Sequence, residues 1–374
     1  MITKPRGLYV HIPFCIKKCN YCDFCSYPIS KVGREAEEAY VDALIKEIDS
    51  YKREEPIRVD TVFFGGGTPS LLSVRSFEKI FAAIRQAFEL DSDAEITIEA
   101  NPGTVTEEKL RVYKAVGVNR LSIGLQSIHE NELKKLGRIH DYADFLTGYG
   151  LACKLGFENI SVDLMYGIPE QTTESFGKTL DAVIALSPEH ISAYGLIVEE
   201  GTPFFNNRNS LVFPDEDAEC DMYELACGKL RGAGYTHYEI SNYAKTGRES
   251  RHNLHYWHSD EYIGVGVSAH SYFEGSRFSN SEDFAEYIEN FKSVSDVEPT
   301  ADEGEFEYAM LALRLSEGLS LSEYESRFLH SFTNGREAAI RRYIDLGYMM
   351  LLDGRLALTE RGFYVSNAIL SDLL

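Results

Sequence analysis

The apolar pattern near the start of the chain predicts a β-strand followed by a helix. In the segment GLYVHIPF, Leu8, Val10 and Ile12 alternate with Tyr9 and His11, so the three apolar side chains share one face of an extended strand. The later segment EAYVDALIKEIDSY spaces its apolar residues three and four apart, which is typical of an amphipathic helix. The period of the pattern thus changes from that of a strand to that of a helix.

Short apolar stretches then alternate with helical sequence as far as residue 196. Strands are predicted in VDTVFFGGGTPS, EITIEANPG, RLSIGLQS, NISVDLMYGIP and HISAYGLI. A helix is predicted from Ser73 to Phe88, and Thr104 with Glu107 predicts a capping box for the helix after EITIEANPG. This alternation indicates a parallel sheet, and about six repeats predict an α/β fold with a partial (β/α)6 barrel of the TIM type.

The pattern divides the chain into three expected segments. The partial barrel takes residues 1–196, a barrel extension that carries the motif HNLHYW takes 197–299, and a small winged-helix-like α+β domain takes 300–374. In the last segment Asp353 and Gly354 separate MMLL from RLAL, which predicts a two-residue hairpin turn. Residues 301–374 hold 12 acidic and 7 basic side chains, so a protein contact or a lid is favoured over DNA binding.

Composition excludes several classes of function. The 374-residue chain has a formal net charge of −22, which argues against a nucleic-acid partner. No apolar run approaches the length of a transmembrane segment, and the N-terminus lacks the apolar core of a signal peptide. We therefore expect a cytoplasmic protein, with association at a membrane surface left open. Reducing conditions there favour metal or redox chemistry over disulfides for clustered cysteines.

Polar and glycine residues recur where the predicted strands end. In barrels of this kind the chemistry collects at the carboxyl ends of the strands, so these groups are expected to share one rim. The groups are the cysteine-rich loop after the first strand, Gly65–Pro69, Glu99–Pro102, Gln126–Ser127, Asp163 and Ala193–Tyr194.

The cysteine-rich loop contains Cys15, Cys19, Cys22 and Cys25. Zinc sites usually draw their ligands from two separated pairs, and the spacing differs from that of bacterial ferredoxins. The C-x3-C-x2-C spacing of the first three cysteines resembles that of radical S-adenosylmethionine (SAM) enzymes, in which three thiolates hold a [4Fe-4S] cluster and SAM occupies the open iron. Because a fourth thiolate would block SAM, we interpret Cys25 as a neighbour and not a ligand.

The rim residues suit the parts of SAM. Glycines at 65–67 would let the backbone approach the amino-acid end of the ligand closely. Glu99, Asp163 and Gln126 suit ribose hydroxyls and an ammonium group, and Arg138 suits a carboxylate. The alternative for each is a buried polar residue that ties loops together.

Six motifs make the resemblance more specific. LYVHIPFC, FFGGGTPS, EANPGT, NRLSIGLQS, LGRIH and DLMYGIP resemble the oxygen-independent coproporphyrinogen III oxidase family of radical SAM proteins, which belongs to porphyrin metabolism. The resemblance also implies an electron donor such as flavodoxin or ferredoxin. The SAM contacts that it implies are Tyr9, Tyr21, Gly66, Gly67, Thr68, Glu99, Gln126, Arg138 and Asp163, with Tyr21 implied by the resemblance alone.

That family has an oxidase branch and a haem-chaperone branch of the HemW type. Three features favour the chaperone branch: the short sequence before the cysteines, the two residues between Cys22 and Cys25, and the HNLHYW motif. The resemblance then implies haem as a ligand and acceptor haemoproteins as partners. The alternative is an oxidase that decarboxylates two propionates by 5'-deoxyadenosyl radical chemistry, and a third is a purely structural iron–sulfur protein.

HNLHYW also has a physical interpretation as a haem site. His252 would supply the iron ligand, and Tyr256 with Trp257 would supply an aromatic wall. The alternative is that His252 bonds to a loop while the aromatic rings fill core. Histidines at 255, 258 and 270 are further candidates for the iron ligand. The remaining cysteines, Cys153, Cys220 and Cys227, are expected in the core.

Overall fold

The computed structural model describes residues 4–33, 35–291, 295–297 and 301–374. The expected boundary between residues 299 and 300 lies outside these residues. The strands are β1 Arg6–Ile12, β2 Phe14–Cys15, β3 Tyr27–Pro28, β4 Ile57–Gly66, β5 Phe88–Ala100, β6 Arg120–Gln126, β7 Ile160–Tyr166, β8 His190–Gly195, β9 Thr236–Glu239, β10 Asn242–Ala244, β11 Tyr262–Val265, β12 His270–Phe273, β13 Ser276–Ser279, β14 Ser295–Val297, β15 Leu319–Ser320, β16 Met349–Leu352 and β17 Arg355–Leu358.

The α-helices follow the strands largely where the sequence pattern predicts them. They are α1 Ile29–Val32, α2 Glu35–Ser50, α3 Val74–Ala87, α4 Glu107–Val116, α5 Glu130–Leu136, α6 Tyr142–Lys154, α7 Thr173–Leu186, α8 Pro203–Asn207, α9 Glu216–Gly232, α10 Arg251–Trp257, α11 Phe284–Glu289, α12 Ala301–Ala312, α13 Leu321–Phe328, α14 Glu337–Asp345, α15 Glu360–Tyr364 and α16 Ser366–Leu373.

One large sheet forms the framework of the molecule. Its strand order is β14-β13-β12-β11-β1-β4-β5-β6-β7-β8-β10-β9. Its centre, from β11 to β8, is parallel throughout. Antiparallel strands extend both edges, and within the described residues β14 and β9 do not pair with each other. The α/β fold and the partial barrel are therefore confirmed.

The parallel centre includes a strand that the repeat pattern does not predict. Strand β11 lies far along the chain but pairs in parallel with β1, with Leu8 opposite Ile263 and Val10 opposite Val265. Residues after 196 therefore extend the sheet itself at both edges, through β9 and β10 beside β8 and through β11 to β14 beside β1. The predicted barrel extension is thus partly built into the barrel wall.

The first strand shows how the sheet separates core from site. Leu8, Val10 and Ile12 are fully buried in the layer between strands and helices. On the other face, Tyr9 and His11 point into the barrel interior, where Tyr9 lies near the ring of Phe63. Apolar side chains thus stabilise the outer layer, and the inner face is left for polar and aromatic groups.

The N-terminal caps of α3 and α4 show that one of the predicted helix caps is wrong. The helix predicted from Ser73 has Ser73 as its N-cap, since the Ser73 side chain accepts a hydrogen bond from the backbone N–H of Ser76. For α4 the cap is Thr106, whose hydroxyl accepts from Lys109 N–H, and the prediction of Thr104 is wrong. The Thr104 hydroxyl instead donates to the carbonyl of Asn101 at 2.6 Å, which ties the loop after β5 together.

The C-terminal region forms a separate three-stranded sheet in the order β15-β17-β16 with helices around it. The hairpin turn is confirmed, because Asp353 and Gly354 have φ angles of 48° and 76°, as a type I′ turn requires. Cys227 is buried as expected, whereas Cys153 is exposed, so the prediction that it lies in the core is wrong. None of the helices in the described residues has the length and apolar run that a membrane crossing requires.

Candidate functional site

A cavity of about 340 Å³ opens at the carboxyl ends of the parallel strands. We call it the cysteine cavity. Residues within or just after β1, β4, β5, β6, β7 and β8 line it together, as parallel topology requires. Of the residues singled out from the sequence, the cavity is lined by Cys15, Cys19, Tyr21, Cys22, Gly66, Gly67, Thr68, Glu99, Gln126, Arg138 and Asp163.

The cysteine-bearing loop is fixed in place by the C-terminus of α5. The backbone N–H of Asn20 donates to Leu136 O at 2.9 Å, and its side-chain amide donates to Lys135 O at 2.8 Å. These bonds satisfy carbonyls that a helix end leaves without partners. Gly137 has φ of +78°, and a Cβ there would lie 3.1 Å from the Asn20 side chain. A glycine is therefore needed for the loop to approach this closely.

The glycine triplet is explained mainly by packing within the protein. Gly66 has φ of +108°, and a Cβ there would come within 2.5 Å of the His11 ring. A Cβ on Gly67 would lie 2.8 Å from the carbonyl oxygen of Phe14. Both glycines line the cysteine cavity, but their small size is already required by the close approach of the His11 ring to Gly66 and of the backbone at Phe14 to Gly67. Packing within the protein therefore requires these glycines in addition to the expected approach of a ligand.

A chain of hydrogen bonds links the cysteine loop to Arg138. Thr68 Oγ1 lies 3.7 Å from Cys15 Sγ, and the amide of Asn101 donates to that hydroxyl at 2.8 Å. Arg138 donates through Nη1 to Asn101 Oδ1 at 2.5 Å and through Nη2 to the Tyr21 hydroxyl at 2.7 Å. Asn101 lies in a predicted rim group, but its link between Thr68 and Arg138 follows only from the structure.

The hydrogen bonds of Arg138 differ from the bidentate pairing with a ligand carboxylate that the sequence predicts. Both terminal nitrogens already have protein partners, and among the described residues Nε is buried without one. Gln126, at φ of 68°, likewise has a buried Oε1 without a partner. Buried polar atoms are nearly always hydrogen-bonded, so these two indicate that the cavity is shaped for a polar ligand.

Two half-buried carboxyl groups, Glu99 and Asp163, give the cavity its electrostatic character. Burial, together with the nearby charge of Asp163, raises the pKa of Glu99 to about 8. Burial also raises the pKa of Asp163, although the Ser122 hydroxyl lies 3.2 Å from its Oδ1. A cationic ligand or one rich in hydroxyls would stabilise the charged forms of both groups. Ser122 was not singled out from the sequence, since a lone serine within a strand gives no signal.

The donor set fits the iron–sulfur cluster that the cysteine spacing implies. Cys15, Cys19 and Cys22 are free thiols that line one cavity. Burial raises the pKa of the Cys22 thiol to about 11, so a thiolate there needs a compensating cation. Cys25 does not line this cavity, and its Sγ lies 3.6 Å from the Tyr27 hydroxyl.

A second cavity of about 530 Å³ adjoins the first. We call it the tyrosine cavity, because Tyr9, Tyr256 and Tyr262 line it together with Cys25 and His270. Tyr9, which the family resemblance implies as a SAM contact, lines this cavity and not the cysteine cavity. The two cavities share three lining residues, Phe24, Gly66 and Glu99.

The structure separates the residues of the HNLHYW motif. His252 is only 1% exposed, its ring stacks on Phe63, and it lines neither cavity. Tyr256 faces the tyrosine cavity, whereas Trp257 lines a different pocket beside His258. The expected site with His252, Tyr256 and Trp257 around one ligand is therefore not present in this arrangement.

Comparison with known families agrees with the geometry. The sequence profile of the radical SAM superfamily matches residues 9–183, and that of the HemN C-terminal domain matches residues 300–365. Among solved structures, one described as coproporphyrinogen III oxidase (HemN) from Escherichia coli, a radical SAM enzyme, aligns with a TM-score of 0.84 and 24% identity. The alignment covers 99% of this chain and 90% of that one, and at this identity it establishes the fold alone.

Relatives that align along nearly the whole chain identify the family more specifically. The chain is 35% identical over 378 residues to the heme chaperone HemW of Bacillus subtilis, which covers 99% of both chains. It is 38% identical over 381 residues to the heme chaperone HemW of Escherichia coli, which covers 98% of this chain and 97% of that protein. The chain belongs to the heme chaperone HemW family of radical SAM proteins.

Proposed function

We propose that the protein is a haem chaperone, which binds haem and delivers it to acceptor haemoproteins. The observation that carries the proposal is the similarity to proteins named heme chaperone HemW along almost the whole chain. Because the similarity includes the cavity-bearing barrel and the C-terminal region alike, it supports the function of the whole protein and not that of one domain.

The proposal includes a [4Fe-4S] cluster on Cys15, Cys19 and Cys22 with SAM beside it. The three thiols on one cavity and the position of Cys25 on the other support this assignment. When bound, the cluster and SAM supply one-electron chemistry, with flavodoxin or ferredoxin proposed as the electron donor. In a chaperone the cluster and SAM can instead have a structural role, in which their binding accompanies haem loading.

The chain's own residues then hold SAM by its polar groups. Arg138 lines the cavity, is fixed by Asn101 and Tyr21, and has a buried Nε without a partner among the described residues. Glu99 and Asp163 supply carboxylates for hydroxyl and ammonium groups, and Gln126 supplies an amide oxygen without a partner. Gly66, Gly67 and Thr68 complete the wall of the cysteine cavity beside Cys15. Tyr9 lines the adjoining tyrosine cavity, which shares Gly66 with the cysteine cavity.

The three expected segments have distinct places in this function. We propose that residues 1–196 hold the cluster and SAM, that 197–299 complete the wall on the side of the tyrosine cavity, and that 300–374 contact an acceptor protein. The separate C-terminal sheet and its acidic surplus support the last assignment. We place the protein in the cytoplasm, where its acceptors would receive haem.

The second candidate is coproporphyrinogen oxidation, the activity in the name of the HemN structure whose fold this chain shares. The two functions differ in their products, so one anaerobic experiment separates them. The cluster is reconstituted and reduced, coproporphyrinogen III and SAM are added, and protoporphyrinogen is measured by chromatography while haem is titrated into a parallel sample. A chaperone binds haem and gives no decarboxylated product, whereas product at many turnovers would overturn the proposal.

A further inference from the structure

We propose that haem occupies the tyrosine cavity with His270 as its iron ligand. This inference rests on the proposed function and specifies where the haem of that chaperone is held. The cavity volume of about 530 Å³ lies within the range of roughly 300–1,000 Å³ that small-molecule sites occupy. Its aromatic walls suit a flat apolar macrocycle, and its one unengaged imidazole suits the iron.

His252 is excluded as the ligand by its contacts. Its Nδ1 lies 2.9 Å from the Thr61 hydroxyl, and its Nε2 lies 2.7 Å from the Tyr256 hydroxyl. With both ring nitrogens engaged and the side chain buried, no lone pair of His252 reaches a cavity. Its role in this arrangement is to position the Tyr256 ring that forms one wall.

The neighbouring histidines are excluded in the same way. His255 lies between two carboxylates, with Nε2 2.7 Å from Asp60 and Nδ1 3.8 Å from Asp260. These acids raise its pKa to about 9 despite burial, and a protonated imidazole has no lone pair for iron. His258 pairs with Glu317 at 2.9 Å and lines the pocket beside Trp257, away from the tyrosine cavity.

His270 has the properties that the other three lack. It is exposed, it lines the tyrosine cavity, and within the described part of the chain its ring has no hydrogen-bond or ion-pair partner. Its backbone is nevertheless fixed, because β12 pairs with β13 in register, with His270 opposite Ser279. An imidazole on a rigid strand at the mouth of an aromatic cavity is well placed for a metal bond.

Several other potential iron ligands of the cavity are already engaged. His11 also lines it, but its Nε2 lies 2.8 Å from the Cys25 carbonyl oxygen and its Nδ1 faces Tyr9. The Tyr9 hydroxyl lies 3.0 Å from His11 Nδ1, and the Tyr256 hydroxyl is held by His252. Cys25 Sγ lies 3.6 Å from the Glu282 carbonyl as well as from the Tyr27 hydroxyl. Tyr256 also packs edge-on against Tyr262 at 4.6 Å between ring centroids, so the two rings form a continuous aromatic wall of the cavity.

The test compares three histidine variants of the full-length protein after anaerobic cluster reconstitution. His270→Ala is expected to lower haem affinity by at least about 10- to 100-fold, the loss already seen when a group that only supports a metal ligand is removed. It should also remove the histidine-ligated signature from the absorption and resonance Raman spectra, and added imidazole should restore that signature. His258→Ala is the matched control and should leave both readouts unchanged.

The outcomes separate the inference from the function on which it rests. If the unaltered protein does not bind haem, the proposed function fails. If it binds haem and His270→Ala keeps the same affinity and spectrum, the function stands and the assignment of His270 is overturned. A spectrum lost in His252→Ala but kept in His270→Ala would also overturn it and would return the ligand to the motif histidine. Unchanged cluster absorbance in each variant shows that the protein remains folded.

Discussion

The cysteine cavity and the tyrosine cavity share a wall but are assembled in different ways. The lining residues of the cysteine cavity all lie from Cys15 to Tyr194, within or just after consecutive parallel strands. The tyrosine cavity combines Tyr9 and Cys25 with residues 256–270, more than two hundred positions later. Repeating topology therefore makes the first cavity visible in the sequence, whereas the second depends on β11 joining the sheet beside β1.

The largest expected difference between the cavities concerns iron. Cys19→Ala should abolish the [4Fe-4S] cluster, since the two remaining thiols of the cysteine cavity cannot hold it. Cys25→Ala should leave the iron and sulfide content unchanged, because Cys25 lies on the other cavity. Iron analysis and electron paramagnetic resonance of the reduced protein measure both. Loss of the cluster in Cys25→Ala would contradict the division between the cavities.

The next largest effect concerns ligand selectivity. Arg138→Leu should weaken SAM binding by about tenfold or more, because a hydrogen bond to a charged group contributes about 1.5–3 kcal/mol. Haem affinity should stay the same, since Arg138 does not line the tyrosine cavity.

Tyr21→Phe should weaken SAM binding less than Arg138→Leu, because it removes only the hydroxyl that accepts a hydrogen bond from Arg138 Nη2. Isothermal titration with each ligand measures both variants. An equal loss of haem and SAM affinity would show that the cavities do not act separately.

The shared wall is tested through Gly66. Gly66→Ala forces a side chain into a backbone with φ of +108° and against His11, so we expect a loss of about 1–3 kcal/mol in the free energy of unfolding. Both ligands should bind more weakly, because the residue lines both cavities. Gly228→Ala is the control: it lies in α9 with open space around it and should stabilise the protein by about 0.5–1 kcal/mol. Denaturant unfolding that ranks the two variants in the opposite order would contradict the packing argument.

The smallest effect concerns Glu47, which anchors the loop leading to His270. Its carboxylate accepts hydrogen bonds from Gly266 N–H at 2.8 Å and from the Tyr287 hydroxyl at 2.6 Å. Burial raises its pKa to about 7, above an unfolded value of about 4.3. Its contribution to stability is thus complete below pH 4.3 or so and is lost as the pH rises through 7.

Between pH 6 and pH 7 this proton should account for about 1 kcal/mol of the change in the free energy of unfolding. Glu47→Gln cannot titrate, so its stability should fall less over the same interval. Parallel denaturant titrations at the two pH values measure the difference. Identical pH slopes for the two proteins would contradict the raised pKa.

Local pattern predicted most of the elements, but details of the loops needed contacts between them. The predicted start of α3 at Ser73 agrees with its N-cap, whose partner is three residues away. The predicted cap at Thr104 is wrong because the loop after β5 uses that hydroxyl for Asn101. The glycine triplet is similar: the sequence shows that the backbone must be unhindered, but not that His11 and Phe14 are what approach it. In both cases several bonding partners were compatible with the same local sequence.

By itself the sequence determined the α/β alternation, the cysteine spacing and the rim of polar residues, because each is a short-range or periodic pattern and parallel strands bring their ends together. Only the tertiary structure decided which histidine is available. His252 meets Thr61 across 191 positions of sequence, and that contact buries the motif histidine while His270 stays open to a cavity. Hydrogen bonds between such distant residues use up the same donors and acceptors that a ligand would need, so they become known only when the chain is folded.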